Sequence, residues 1–190
     1  ESAISTDSSI CDLGESKALG HAFAQTISNI RTAEDTLSLS DAYSTITNDI
    51  TANYTHSVDK NLYNFRFAEA IALEMPSARI IHCRRHPLDN ILSMLRSSLE
   101  YGNNYTSDPT EAAKFLIHQE EIMNEVKGKY DKHIFTFEYD KFVSNPEKIL
   151  RPLIHWLDLE WNERYLHPEA NERLIKTASV IQARQPINNK

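Results

Sequence analysis

The sequence predicts an α/β fold: a three-layer sandwich with helices on both faces of a mainly parallel sheet. Three observations predict it. Residues 78–83, "ARIIHC", form a short apolar, β-branched run that suits a strand buried on both faces. Directly after it, Pro87 opens a segment in which Leu88, Ile91, Leu92, Leu95 and Leu99 recur at helical spacing. From Phe67 onward the order reads helix, strand, helix, helix, strand, helix, the alternation that builds a parallel sheet.

Taken in order, residues 1–10 are polar and serine-rich and are expected to form a loop. Gly14 and Glu15 open a helix to about Arg31, and residues 40–52 form a second. Residues 57–65 read as irregular, and 67–75 as a short helix stopped by Pro76. Pro87 fits the first helical position, where its missing N–H removes no hydrogen bond. The apolar stripe from Leu88 to Leu99 is expected to be core. Asp108-Pro109-Thr110-Glu111 supplies a cap, a proline and a first-turn acid, and Ala112, Phe115, Leu116, Ile122, Met123 and Val126 continue one stripe. On that helix, "HQEE" at 118–121 reads as a solvated face. Residues 133–139, "HIFTFEY", read as a strand, and Ser144-Asn145-Pro146-Glu147 resembles a capping box opening a helix to about Leu157.

Composition limits the function. At 190 residues, the chain is long enough for one domain with a real core, so 1–190 is read as a single domain. A net charge of −7 argues against general nucleic-acid binding, which calls for an excess of Lys and Arg. Cys11 and Cys83 form neither a disulfide framework nor a zinc pattern, which points to a reducing, cytoplasmic setting. Asn53 and Asn104 head glycosylation sequons of a kind common by chance. No run approaches the ~20 apolar residues of a membrane span. With no secretory signal and no initiating methionine, the chain is expected to be a piece of a longer protein. Only four glycines occur, so no glycine-rich phosphate loop lies within it.

The chemistry starts at Arg85. Ligands of open α/β sheets bind beyond the carboxyl ends of strands, where Arg85 is expected to sit. The helix that follows offers free N–H groups and a positive partial charge, and a guanidinium fork matches phosphate geometry. Ser93, two turns along, offers a hydroxyl to the same anion; the plain alternative is a surface arginine pair and a solvated serine. His82 and His86 are four apart across a strand–turn boundary, poor geometry for sharing a metal, and no metal is expected.

"IIHCRRHPLDNILS" resembles the 3′-phosphate-binding motif of the sulfotransferases that use 3′-phosphoadenosine 5′-phosphosulfate (PAPS), and further stretches fall in that family's order. The resemblance covers most of residues 11–187 and extends to the sulfotransferase domains of bacterial proteins that often carry helical repeats upstream, which implies a possible helical-repeat domain before this one. It implies a P-loop-like fold in which Arg85 and Ser93 hold the 3′-phosphate. "TFEYDKFVSNPEKILRPLIHWLDLEW" resembles the segment whose tyrosine and following acid, here Tyr139 and Asp140, lie near the adenine. "TASVIQARQPI" resembles a late segment that would give Ser179, Gln182 and Arg184 as nucleotide contacts. "CDLGESKAL" places Glu15 as the base, and "VDKNLYNF" places Lys60 beside the transferred group. Without the resemblance, Glu15 reads as a first-turn acid, Lys60 as a surface lysine, Tyr139 as packing, and Ser179 and Arg184 as loop residues.

The family's 5′-phosphosulfate loop, a Pro-Arg-Ser-Gly-Thr-like turn after the first strand, has no counterpart here and is expected upstream of Glu1. Residues 1–190 taken alone are therefore expected to be inactive. The resemblance implies sulfuryl transfer from PAPS to a hydroxyl or amine acceptor that the sequence does not identify, without a metal. The alternatives are a P-loop kinase-like enzyme, which would need a Walker-type loop, and a non-catalytic nucleotide-binding module.

Overall fold

The computed structural model describes residues 1–32, 37–97, 103–171 and 187. The chain divides into two compact units, one built on Glu1–Ala78 and a return segment from Asn162, the other on Arg79–Trp161.

In the first unit, β1 (Ile10–Gly14) runs parallel to β2 (His56–Asp59), with Ile10 opposite His56 and Cys11 opposite Ser57. The chain crosses between them through α1 (Ala18–Thr32) and α2 (Leu39–Thr51). Neither strand was expected: residues 1–10 read as loop, 57–65 as irregular, and the helix was set at Gly14. The strands are too short to show a period. β2 carries one apolar residue, Val58, and its place is fixed by pairing with β1 rather than by propensity. The helix starts later because Gly14 takes a left-handed φ of 61°, and the Ser16 hydroxyl accepts the N–H of Ala18 at 3.0 Å.

Leu19, Ala22, Leu39 and Ala42 form this unit's core, with Phe23, Tyr43, Phe67, Ile71 and Met75 packed on it. Ala22 and Ala42 are fully buried, and alanine at such positions lets helices α1 and α2 approach closely. α3 (Ala68–Glu74) adds a carboxylate: Glu74 accepts the N–H of Leu39 at 3.2 Å, satisfying a donor at the start of α2. The return segment inserts Tyr165, which is fully buried and donates its hydroxyl to Asp7 at 3.1 Å.

In the second unit, β3 (Ile80–Arg84) runs parallel to β4 (Ile134–Glu138), with pairs from Ile80 opposite Ile134 to Arg84 opposite Glu138. α4 (Pro87–Arg96) and α5 (Pro109–Tyr130) form the crossover; α6 (Tyr139–Ser144) and α7 (Pro146–Trp156) follow β4. The α/β class and the parallel pairing match the expectation. Among the described residues, the strands pair as β1 with β2 and β3 with β4. Phe135 and Phe137 pack on Trp156 and Phe142, while Leu150, Leu153 and Ile154 of α7 are buried. The cap of α7 is Asn145, one residue later than expected, because Ser144 closes the unforeseen α6.

The Leu88–Leu99 stripe is not core at Leu88, Leu92 or Leu95, and Leu99 lies outside the described residues. No described residue of α4 is buried, and Leu88 is 69% exposed. A helical period reports that one face is apolar; it does not report what covers that face.

β3 also carries a polar cluster at its carboxyl half. His82 is buried, its Nε2 3.3 Å from Glu120 Oε1, and Arg84 Nε lies 3.0 Å from Glu120 Oε2. Residues 118–121 are thus not simply a solvated face: α5 turns Glu120 toward the strand. Burial pushes the His82 imidazole below its usual 6.5; Glu120 pulls it up, and Arg84 and Lys127 push it further down. For a base depressed by folding, the unfolded chain takes the proton first. Stability is then full above the unfolded pKa and is lost as pH falls below about 6.5. The urea midpoint is expected to drop between about pH 7 and about pH 5.5, more steeply in the parent than in His82→Gln. Parallel slopes would exclude His82 as the source.

Candidate functional site

The carboxyl ends of β1 and β2 bring two sequence-predicted residues together. The N–H of Lys60 donates to the carbonyl of Gly14 at 2.8 Å, which carries the strand pairing one step beyond β2. That contact sets the side chains that follow each strand against one another: Lys60 Nζ lies 2.6 Å from Glu15 Oε1 and 3.6 Å from Glu1 Oε2. Asn61 donates to the carbonyl of Ser16 at 3.0 Å and ties the two turns together. Glu15 and Lys60 are both about half-exposed. An ion pair so open to water is worth ~0–1 kcal/mol, so it separates readily when either group is needed elsewhere.

Beneath this pair is a polar network that sequence reasoning did not find. Asp59 accepts from the Tyr43 hydroxyl at 3.1 Å and from the Asn64 amide at 2.9 Å. Burial raises the Asp59 carboxyl above its ordinary value, and burial together with Asp59 raises the Tyr43 phenol. Asp59 adjoins Lys60 in "VDKN", so the signal was present; its partners come from a separate helix and a 3₁₀ turn, which no local pattern links.

In the second unit, Arg85 lies directly beyond β3 and before Pro87, as expected. Its guanidinium carbon sits 5.3 Å from the centroid of the Tyr139 ring, a cation–π contact on an exposed tyrosine. The N–H of His86, the N-cap of α4, donates to Asp140 Oδ2 at 2.8 Å. Arg85 and Tyr139 are therefore brought together. Ser93 is half-buried on α4, ~9 Å along the axis from Pro87, and helical side chains lean toward the N-terminus. An exposed guanidinium, an aromatic face and the start of a helix together suit an anion joined to a flat ring. Ser179, Gln182 and Arg184 lie outside the described residues. Among the described residues, no group of three or more His, Cys, Asp or Glu is placed to hold a metal ion, and no helix is long and apolar enough to cross a membrane.

A family model described as "Sulfotransferase family" matches residues 11–163. An uncharacterised protein of Aquifex aeolicus (strain VF5) is 29% identical over 133 residues, which is 68% of this chain and 18% of that protein. The sulfotransferase domain from the curacin biosynthetic pathway is similar in structure, with a TM-score of 0.56 and 17% identity over 91% of this chain and 65% of that one. At that identity the likeness concerns the fold. The chain spans less than a fifth of the Aquifex protein and just under two thirds of the curacin-pathway chain.

Proposed function

The chain belongs to the sulfotransferase family, and within it we propose that the protein transfers a sulfuryl group from PAPS to a hydroxyl or amine acceptor. The observation that carries this reading is the meeting of Glu15 and Lys60 at 2.6 Å, two residues 45 apart in sequence, beyond the carboxyl ends of paired parallel strands. PAPS, when bound, supplies an activated sulfuryl group with a good leaving group. Glu15 takes the proton from the acceptor as it attacks. Lys60 offsets negative charge that develops only on the way to the transition state. Arg85 and Ser93 hold the 3′-phosphate, and the Tyr139 ring lies against the adenine. Ser179 and Arg184 are further nucleotide contacts on this reading. Transfer of this kind needs positioning and charge stabilisation and requires no metal. The thiols Cys11 and Cys83 are both unpaired, which fits a reducing, cytoplasmic setting.

The test is equilibrium binding in the full-length protein. Calorimetry should find adenosine 3′,5′-bisphosphate bound at least about tenfold more tightly than adenosine 5′-monophosphate. Equal affinities, or no binding of either, would reject the donor assignment. Binding without label transfer from radiolabelled PAPS to a panel of phenols, sugars and amines would favour a non-catalytic nucleotide-binding module.

A further inference from the structure

We infer that Asp140 is a positioning residue. It fixes the turn that carries Arg85, and so sets selectivity for a 3′-phosphate that it does not itself touch. The inference rests on the proposed nucleotide site and gives a positioning role to an acid that the resemblance places only near the adenine.

Strand register makes the contact. Arg84 and Glu138 are the last pair of the β3–β4 ladder. The next residues on each strand therefore leave the sheet side by side, Arg85 and His86 toward α4, Tyr139 and Asp140 into α6. From there, Asp140 accepts the His86 N–H at 2.8 Å across a sequence separation of 54 residues. Tyr139 lies under the Arg85 guanidinium at 5.3 Å. Two consecutive residues of one turn hold two consecutive residues of the other. His86 makes no cap hydrogen bond with its own side chain; Asp140 instead satisfies the N–H of the N-cap residue itself, the donor that an N3 side chain takes in a capping box. Asp140 is itself anchored, its carbonyl accepting the Ser144 hydroxyl at 2.9 Å in the short helix α6.

The charge decides between roles. A carboxylate beside a phosphate site repels the ligand, so Asp140 is a poor ligand contact. It is a strong acceptor for a backbone N–H, because charge-assisted hydrogen bonds are shorter and stronger than neutral ones. Using that N–H keeps the 85–86 turn from shifting, and a shift of about 1 Å in a positioning group costs up to about a hundredfold. Arg85 then meets the phosphate already aimed.

The test compares adenosine 3′,5′-bisphosphate with adenosine 5′-monophosphate in the full-length parent, Arg85→Ala, Asp140→Ala and Asp140→Asn. Asp140→Ala should shrink the affinity ratio by about tenfold, chiefly by weakening the bisphosphate, with the monophosphate within about twofold of the parent. Asp140→Asn keeps a carbonyl acceptor and should restore the ratio to within about threefold. Equal weakening of both nucleotides in Asp140→Ala would mean general structural damage and overturn the inference. So would an intact ratio in Asp140→Ala alongside a collapsed one in Arg85→Ala, an outcome that leaves the nucleotide site standing. A parent with no preference for the 3′-phosphate overturns both.

Discussion

Glu15→Gln in the full-length protein is expected to lower turnover by about 10²–10⁴-fold while affinity for adenosine 3′,5′-bisphosphate stays within about twofold. The amide keeps the shape of the carboxylate and can still accept from Lys60 Nζ, which lies 2.6 Å away in the parent. It cannot take a proton from the acceptor. Folding should not suffer, because the half-exposed pair contributes at most ~1 kcal/mol. The fall therefore belongs in kcat with the best acceptor of a panel, not in thermal stability. Rates of release of adenosine 3′,5′-bisphosphate from PAPS, measured beside a melting curve, separate the two. Unchanged turnover would remove Glu15 as the base, and a large drop in melting temperature would make it a structural residue.

Arg85→Ala should weaken binding of adenosine 3′,5′-bisphosphate by about ten- to a hundredfold, the loss expected for one charge-assisted contact of ~1.5–3 kcal/mol. Tyr139 loses its cation in the same variant. That contact is worth only ~0.5–1 kcal/mol at an exposed site, so the phosphate term dominates. Arg85→Lys should recover part of the affinity, since lysine restores the charge but not the two-pronged geometry. A titration in which Arg85→Ala binds as the parent does would end the assignment of this turn to the 3′-phosphate.

The second unit was the more legible half. β3, β4 and helices α4, α5 and α7 announce themselves because their signals are local: a β-branched run, a proline at the first helical position, an Asp-Pro cap. The first unit hid its strands. Ile10–Gly14 is preceded by polar residues, and His56–Asp59 has no alternation to read; each is a strand only because the other lies beside it. The candidate site shows the same split. Arg85 could be placed from its neighbours alone, whereas Glu15 and Lys60 read as ordinary surface charges until family order linked them. The Asp59–Tyr43–Asn64 network and the hold of Asp140 on His86 arise from contacts between distant segments, and no spacing rule reports those. The leucines of α4 mark the opposite limit: a clear pattern whose covering surface the pattern does not name.

Tyr165 ties the order of synthesis to the completion of a core. It fills a fully buried place in the unit built on Glu1–Ala78 and the return segment from Asn162, and its hydroxyl reaches back to Asp7. A ribosome making this chain delivers β1, β2 and helices α1 to α3 first, then all of Arg79–Trp161, and only then the tyrosine. At ~5–20 residues per second, the early segment waits on the order of 4–17 s with the Tyr165 position empty. The later segment carries both members of its strand pair and the helices α4 and α5 that cross between them. Closure of the core around the Tyr165 position thus waits on residues made after all of Arg79–Trp161, and its exposure to chaperones and proteases is set by elongation speed through a stretch that belongs to the other unit.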